Sequence, residues 1–509
     1  MANPISMMLA KFWDSHPALL YGLSVLLFIG AALNENWIIL IPLICLAGIH
    51  QIRLLLVLCL GLSVFFLVNA RYQFPEMTSE DVMGTAEVEL SSLSFHKKNF
   101  GNLWIYHGIL RAFVPDNETK SIARDLPISV SFLEKEGAER PSCDASYFIS
   151  GALRKTDYGS YSIAKSHKSP WVLIKENWSW GECRFKAKKW VKDYIESRIT
   201  KSRSRSFLSG LATGNFSDKQ IWFEFSRFGL QHIMAISGFH FAILASMLSF
   251  FLGLFLSKKT TSITLIFCLS SYFLFLGTSP SVMRSWIAIV IVLLGNLLER
   301  TSDGLNSLGM ALLAILVYDP FLALHIGFQF SFCATAAILL LYPTCDYYLQ
   351  KIFPKRTLGQ ALSLDRVSQH GYCILVFIRQ GLALTAAVNL AAMPLTLYHF
   401  HKVPLMSVVY NLFFPFLVSI SMFLLLVSLF LDMLFLPLGA MVHHFNSAYT
   451  NLVLDFTFNL PMSFDFILRV SDLPIEALII YFTFVLVVGV ITRQRLDVKK
   501  ADLQDLVFV

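Results

Sequence analysis

Residues 229–243 read GLQHIMAISGFHFAI, a stretch apolar enough to enter a bilayer that nonetheless carries His232, Ser237, Gly238 and His240. Each polar group at that depth needs a partner, because hydrocarbon offers none. The two histidines stand eight residues apart, about two helical turns, so one continuous helix sets them on a shared face. Ser237 and Gly238 between them supply a hydroxyl for the backbone and a point of close packing or bending. A face of this kind lines a passage or packs against one; the plainer alternative is two satisfied contacts between helices.

The flanking sequence makes the membrane reading general. Of 509 residues, 55% are hydrophobic and 45 are Phe, the mean hydropathy is +0.61, and only 15% are charged, against about 25% in soluble domains. PALLYGLSVLLFIGAAL at 17–33 reads as a first membrane helix and not a cleaved leader, because further apolar runs follow at about 37–49 and 52–69, parted by little more than His50 and Arg53. From residue 232 onward nine apolar segments follow, at 232–256, 261–276, 284–298, 305–318, 322–342, 372–396, 404–430, 434–458 and 475–491, several of them short for a perpendicular crossing. Lys258, Lys259, Arg300, Lys351, Lys355, Arg356, Arg366 and the tail Arg493, Arg495, Lys499 and Lys500 fall on one side if these segments alternate, which makes that side cytoplasmic.

The region 71–228 interrupts this pattern and falls on the opposite side. AEVELSSLSF, NLWIYHGILRAFV, LPISVSFL, ASYFISGALRKT, GSYSIA and WVLIKE are short, partly alternating and rich in β-branched and aromatic residues, which predicts a small β barrel or sandwich. A basic stretch comes next. Arg184, Lys186, Lys188, Lys189, Lys192, Arg198, Lys201, Arg203 and Arg205 face only Asp193 and Glu196, a local charge equal to the +7 of the whole chain. Trp190, Tyr194, Ile195, Phe207, Leu208 and Leu211 give it an apolar stripe, which predicts an interfacial amphipathic helix. The resulting organisation is 1–70, N-terminal membrane helices; 71–183, an exported β domain; 184–228, a basic helical segment; 229–492, a polytopic membrane domain; and 493–509, a cytoplasmic tail. Of eight cysteines, Cys143 and Cys183 lie in the exported part, where an oxidising compartment favours a bridge; two buried thiols are the alternative.

Inside the membrane part, Arg284 follows the helix-breaking Gly277, Ser279 and Pro280, so its guanidinium either anchors at the interface or joins free amides in an anion site. Gln329, Ser331, Asn389 and Asn411 are uncharged polar groups within apolar segments, suited to contacts between helices or to a weakly polar conduit.

Four stretches resemble the signature of the ComEC competence family: LSGLATGNFSDKQIWFEFSRFGLQHIMAISGFHFAIL (208–244), GTSPSVMRSWIAIVIVLLGNL (277–297), DPFLALHIGFQFSFCATAAIL (319–339) and AAMPLTLYHFHKVPLMSVVYNLFFPF (391–416). They occur in the family's order, and with the N-terminal helices and exported domain the resemblance covers nearly the whole chain. It implies a polytopic α-helical protein of the bacterial cytoplasmic membrane with an inserted, extracytoplasmic OB-like domain, acting as the channel for single-stranded DNA during natural transformation. Two departures stand out. Asn215 occupies a turn position where the family often has Asp, with Asp218 three residues on, and the sequence closes at Val509 where many members continue into a metallo-β-lactamase-like domain.

On that reading the nine basic residues of 184–205 neutralise phosphates while Trp104, Tyr106, Trp171, Trp178 and Trp190 stack bases. The alternatives are a basic helix resting on anionic headgroups and strand aromatics forming a core. His232, Ser237, Gly238, His240, Arg284, Gln329, Asn389 and Asn411 are the expected channel lining. No metal or cofactor is called for: His399 and His401 are an isolated pair, and no phosphate loop of the GxxxxGK[ST] kind occurs. Single-stranded DNA and lipid are the expected partners, with a DNA receptor, a cytosolic ATP-driven motor and a separate nuclease supplying what the chain lacks. The competing classes are a membrane hydrolase using Ser237 with His240, and a scaffold coupling receptor to motor.

Overall fold

Hydrophobic runs fold here into long helices because only a helix satisfies its own backbone in lipid. The computed structural model describes residues 4–46, 51–75, 81–98, 101–134, 140–156, 160–165, 170–216, 218–236, 238–461, 465–470 and 472–505. It opens with α1 (Pro4–Ser15) and α2 (Pro17–Asn34), a ten-residue 3-10 helix (Trp37–Leu46) and α3 (Gln51–Arg71). Arg53 at the start of α3 pairs with Asp14, beside the start of α2. At the other end Tyr72 stacks edge-on against Phe321, with ring centroids 4.8 Å apart, and Leu33 packs under the β domain. α2 and α3 therefore cross in the same sense, and the chain between them returns through the 3-10 rod, which spans roughly 20 Å at about 2 Å per residue. Of the three N-terminal apolar runs, α2 and α3 are long enough to cross, and the run between them is a 3-10 helix irregular around Pro42, which has no N–H to give.

Next come β1 (Val82–Lys98), β2 (Gly101–Pro115), β3 (Leu126–Glu134), β4 (Ala145–Lys155), β5 (Tyr161–Lys165) and β6 (Val172–Glu176). They are ordered β1-β2-β3-β5-β4 and close through a β1–β4 pairing, with β3 and β5 parallel and the other pairings antiparallel, while β6 adds to β4. This is the strand order of an OB barrel. Closure rests on β1, 17 residues long, which bends at irregularities after Glu87 and Leu90 so that it pairs along most of its length with β2 and through its first half with β4. Opposite that bend stands Gly108, where any side chain would meet the carbonyl oxygen of Glu89, an added Cβ lying 2.0 Å away. Alternate residues such as Val88, Tyr106, Leu110, Ile128, Ile149 and Ile163 fill the barrel.

The remainder is helical: α4 (Trp180–Arg198), α5 (Ser202–Thr213), α6 (Lys219–Arg227), α7 (Gln231–Met234), α8 (Gly238–Gly253), α9 (Lys258–Leu276), α10 (Pro280–Leu297), α11 (Gly304–Tyr318), a 3-10 turn (Pro320–Leu324), α12 (Ile326–Ile352), α13 (Leu358–Leu362), α14 (Arg366–Phe400), α15 (Ser407–Leu434), α16 (Leu436–Phe458) and α17 (Ile475–Asp505). A small hairpin of β7 (Lys402–Pro404) and β8 (Ile467–Arg469) lies between them. The nine segments expected after residue 232 are largely helical among the described residues, the first divided between α7 and α8 and the fifth opening in the 3-10 turn before α12. Among the described residues eight helices of the chain are long and apolar enough to cross a membrane. Lys259 pairs with Glu299 at 3.1 Å, joining the start of α9 to the end of α10. The far end of α9 lies beside α4 and the barrel, so the barrel is extracytoplasmic and the basic loops face the cytosol.

α4 is bolted to the barrel. Ser179 caps it by accepting from the Gly181 N–H, and Glu182 accepts from both terminal nitrogens of Arg140 at 2.7 and 2.8 Å and from the Cys143 N–H at 3.0 Å. Arg140 also lies over the rings of Trp104 and Phe185, 4.7 and 5.5 Å from their centroids. The Arg140 hydrogen bonds hold the Glu182 carboxyl below its ordinary range against the opposing effect of burial. Glu182→Ala is expected to lower stability by about 2 kcal/mol, read as a fall in the unfolding midpoint. The wild type loses this contribution as pH drops from about 4.3 through the lowered folded value, and a midpoint gap between wild type and variant that does not narrow with acid contradicts the assignment.

Candidate functional site

The basic segment is three separate helices and not one interfacial helix, and its apolar stripe meets protein. Ile195, Phe207, Leu208 and Leu211 are buried with Tyr410, Phe414 and Val418 of α15. Most of its cations serve as structural ties. Arg184 Nε donates to the Leu274 carbonyl at 3.0 Å and Lys188 Nζ to the Leu276 carbonyl at 2.8 Å, so both close the open carbonyl end of α9. Burial there pulls the Lys188 ammonium down to about 8. Arg198 lies 3.9 Å from Asp432, Arg203 pairs with Asp455 at 3.1 Å, Arg205 donates to the carbonyls of Ile199 and Thr200, and Lys192 lies 3.8 Å from Glu196. Lys186, Lys189 and Lys201 extend into solvent.

Lys186, Lys189 and Trp190 share one outward face of α4, following the 3.6-residue period. Trp190 is 69% exposed and stacks on Tyr194 with ring centroids 5.9 Å apart. At the start of the helix Trp178, 73% exposed, meets Trp180 edge-on at 4.8 Å. The strand aromatics take the plainer reading: Trp104 and Tyr106 are buried, and Trp171 packs edge-on against Tyr106, Phe132 and Tyr147. Trp180 is the aromatic that sequence reasoning passed over; its signal was the WSW triplet in front of the basic run.

Among the described residues, the expected channel-lining side chains are distributed over several helix contacts. The helix through His232 breaks at Ala235, whose backbone is extended, so α7 and α8 are distinct. His232 and His240 still meet at one cavity of about 80 Å³, closed by Pro415, Val418 and Met422 of α15. Ser237 lies outside the described residues. Gly238 opens α8 against Arg284: an added Cβ would stand 3.2 Å from both Arg284 Nη2 and Ser285 Oγ. Arg284 Nε donates to Ser331 Oγ on α12 at 2.8 Å, and Ser281 Oγ donates to the Ile236 carbonyl at 2.9 Å. Among the described residues no carboxylate pairs with Arg284, while the first turns of α8 and α10 begin beside it. Above it, the Arg184 side chain lies over Gly277 at the break between α9 and α10, 3.3 Å from where a Cβ would sit.

Gln329 is elsewhere, accepting from His399 Nε2 at 2.7 Å and donating to the Ala323 carbonyl at 3.1 Å. This pairing, with His401 3.5 Å from Asp472, accounts for both histidines of YHFHK. Asn389 is half-buried on α14, and Asn411 Oδ1 on α15 is buried without a partner among the described residues. Among the described residues no group of three or more potential metal ligands gathers.

One cluster was not legible. Asp432 Oδ2 accepts from Tyr194 OH at 2.8 Å and pairs with His443 Nε2 at 2.9 Å, and His443 Nδ1 lies 3.1 Å from Ser428 Oγ. Ser428 and His443 are fully buried and Asp432 is 2% exposed, so the serine–histidine–aspartate set ties α4 to α15 and α16 with no access for a solute.

Cys143 and Cys183 are separate thiols, so the expected bridge is not formed. Cys143 is buried against Gly181, where an added Cβ would lie 2.6 Å from its sulfur, whereas Cys183, two residues further along α4, points about 200° away around the helix.

The competence protein family matches residues 211–495, more than half of the chain. The chain belongs to that family. A curated relative, "ComE operon protein 3" of Bacillus subtilis (strain 168), is 24% identical over 212 residues, 41% of this chain and 24% of the relative, so the similarity spans about a quarter of the relative's length. No solved structure matches. The competence match contains the His232–His240 cavity and the whole Arg284 junction, while the barrel and α4 lie N-terminal to it.

Two measurements check this geometry. Burial pushes the Cys143 thiol up to about 12, leaving roughly one thiolate in ten thousand at pH 8. A maleimide without reductant is expected to modify Cys183 and spare Cys143 until the protein unfolds; protection of both, released by reductant, would establish the bridge instead. Asp432→Ala removes the acceptor shared by Tyr194 and the buried His443 and is expected to cost about 2 kcal/mol, read as a fall in unfolding midpoint.

Proposed function

We propose that this competence-family protein conducts single-stranded DNA across the cytoplasmic membrane: the barrel and α4 gather the strand, and the helical domain passes it inward. The observation that carries the reading is the exposed Lys186–Lys189–Trp190 face on a helix fixed to an OB-ordered barrel at one end and to the membrane helices at the other. Cations for phosphates beside aromatic rings for bases make a sequence-blind single-strand site. From that face, basic groups continue inward through Arg184 over Gly277 to Arg284, which has no carboxylate partner among the described residues and lies beside two helix N-termini. A carboxylate at Arg284 would cancel the attraction for a phosphodiester; serine partners leave it in place. The receptor, ATP-driven motor and nuclease expected as partners belong to this proposal.

Lys186→Ala with Lys189→Ala is expected to weaken single-strand binding by the purified full-length protein and to reduce the salt slope by about 0.7 for each phosphate no longer neutralised. Trp190→Ala is expected to weaken binding roughly 5- to 100-fold with little change of slope. Arg284→Ala is expected to leave surface binding intact while abolishing arrival of labelled DNA in the cytosol, at unchanged protein level. Normal uptake by the Arg284 variant, or unchanged binding by the α4 variants, overturns the proposed path.

A further inference from the structure

A cavity of about 910 Å³ lies beneath the barrel, between the N-terminal helices and α11, α12, α14 and α17. It runs along α2 from Leu19 to Asn34, roughly 22 Å at 1.5 Å per residue, most of the way across a hydrocarbon core. Close-packed interiors leave no voids of that size. Its character changes along its length. The deep part presents Leu20, Leu23 and Leu27 of α2 and Phe332, Ala336 and Leu340 of α12, with Trp13 near the cytoplasmic end. The mouth under the barrel presents Lys155 and Thr156 from the end of β4, Asn34, and His399 and His401 from the end of α14. Asp472 lies 3.5 Å from His401, while Lys155 is exposed with no carboxylate partner among the described residues.

Water in the deep part would find few hydrogen-bond partners, and a phosphodiester chain would meet leucine and phenylalanine where it needs donors. An acyl chain fits, and a cation at the mouth fits an anionic headgroup. We propose that this slot is a binding site for one anionic glycerophospholipid of the outer leaflet, its tail between α2 and α12 and its headgroup at Lys155, so that the lipid joins the underside of the barrel to the ends of α14 and α17. Gln329, one of the expected channel-lining residues, borders this slot, but the inference uses neither the α4 face nor Arg284 and does not depend on the transport reading.

The test uses the full-length protein in detergent, stripped of lipid and titrated with phosphatidylglycerol or phosphatidylcholine, with bound lipid counted by native mass spectrometry. One phosphatidylglycerol per chain is expected, at least fivefold tighter than phosphatidylcholine, and Lys155→Ala should bring the two to equal affinity. Ala336→Trp should obstruct the passage between α2 and α12 and remove tight binding of both. Should that variant not fold, acyl-brominated phosphatidylglycerol gives a second readout: it should quench the wild-type fluorescence by a component that disappears in Trp13→Phe. Equal binding of the two lipids by the wild type, retention of phosphatidylglycerol by a folded Ala336→Trp, or quenching unchanged by Trp13→Phe overturns the proposal.

Discussion

The carbonyl end of α9 has no donors of its own, and α4 brings them. Arg184 and Lys188 satisfy Leu274 and Leu276, which fixes one point of α4 against the membrane helices. Glu182 and Arg140 fix its start to the barrel, and Tyr194 with Arg198 meets the buried Asp432 near its end. Three attachments along 19 residues make α4 a strut and not a tether. The barrel's position over the bundle, and therefore the direction in which its exposed cations and tryptophans point, follows from where those donors stand.

The same constraint explains the polar groups inside the bundle. Hydrocarbon leaves no polar atom without cost, so Arg284 takes a serine on α12, Gln329 takes His399, and His443 takes Asp432. The choice of partner separates their roles. His443 and Asp432 lie sealed between three helices, so the atoms of a nucleophilic triad are present while the access a hydrolase requires is not. Arg284 keeps its charge uncompensated by any carboxylate among the described residues beside the break where α8 and α10 begin, the arrangement that attracts an anion without trapping it. The wide apolar slot beneath the barrel has the opposite character, and the membrane domain thereby divides into a cationic junction and an oily crevice on different sides of α12.

The fold was legible because its signals are periodic. Alternation along six strands and nine apolar runs recur in the folded chain, with α12, α14 and α17 extending well beyond their apolar runs because polar residues such as Arg366–Gly371 continue the helix into the loops. The cationic run 184–205 was visible as charge, yet charge alone does not say what it faces. Lys188 and Lys189 are adjacent in sequence and about 100° apart on the helix, so one reaches a buried carbonyl and the other water.

What the amino-acid sequence determined by itself was the class: helices that cross a bilayer, an exported β domain and its orientation, because hydrophobic length, strand alternation and loop charge act locally and leave a one-dimensional trace. Tertiary structure alone decided that the strands close into an OB-ordered barrel and that Cys143 and Cys183 face apart. It also decided that Arg184, Lys188, Arg198 and Arg203 tie helices together, and that Asp432, His443 and Tyr194 converge from three helices. Each of those depends on which residues distant in sequence become neighbours, a matter of packing geometry that no local period records.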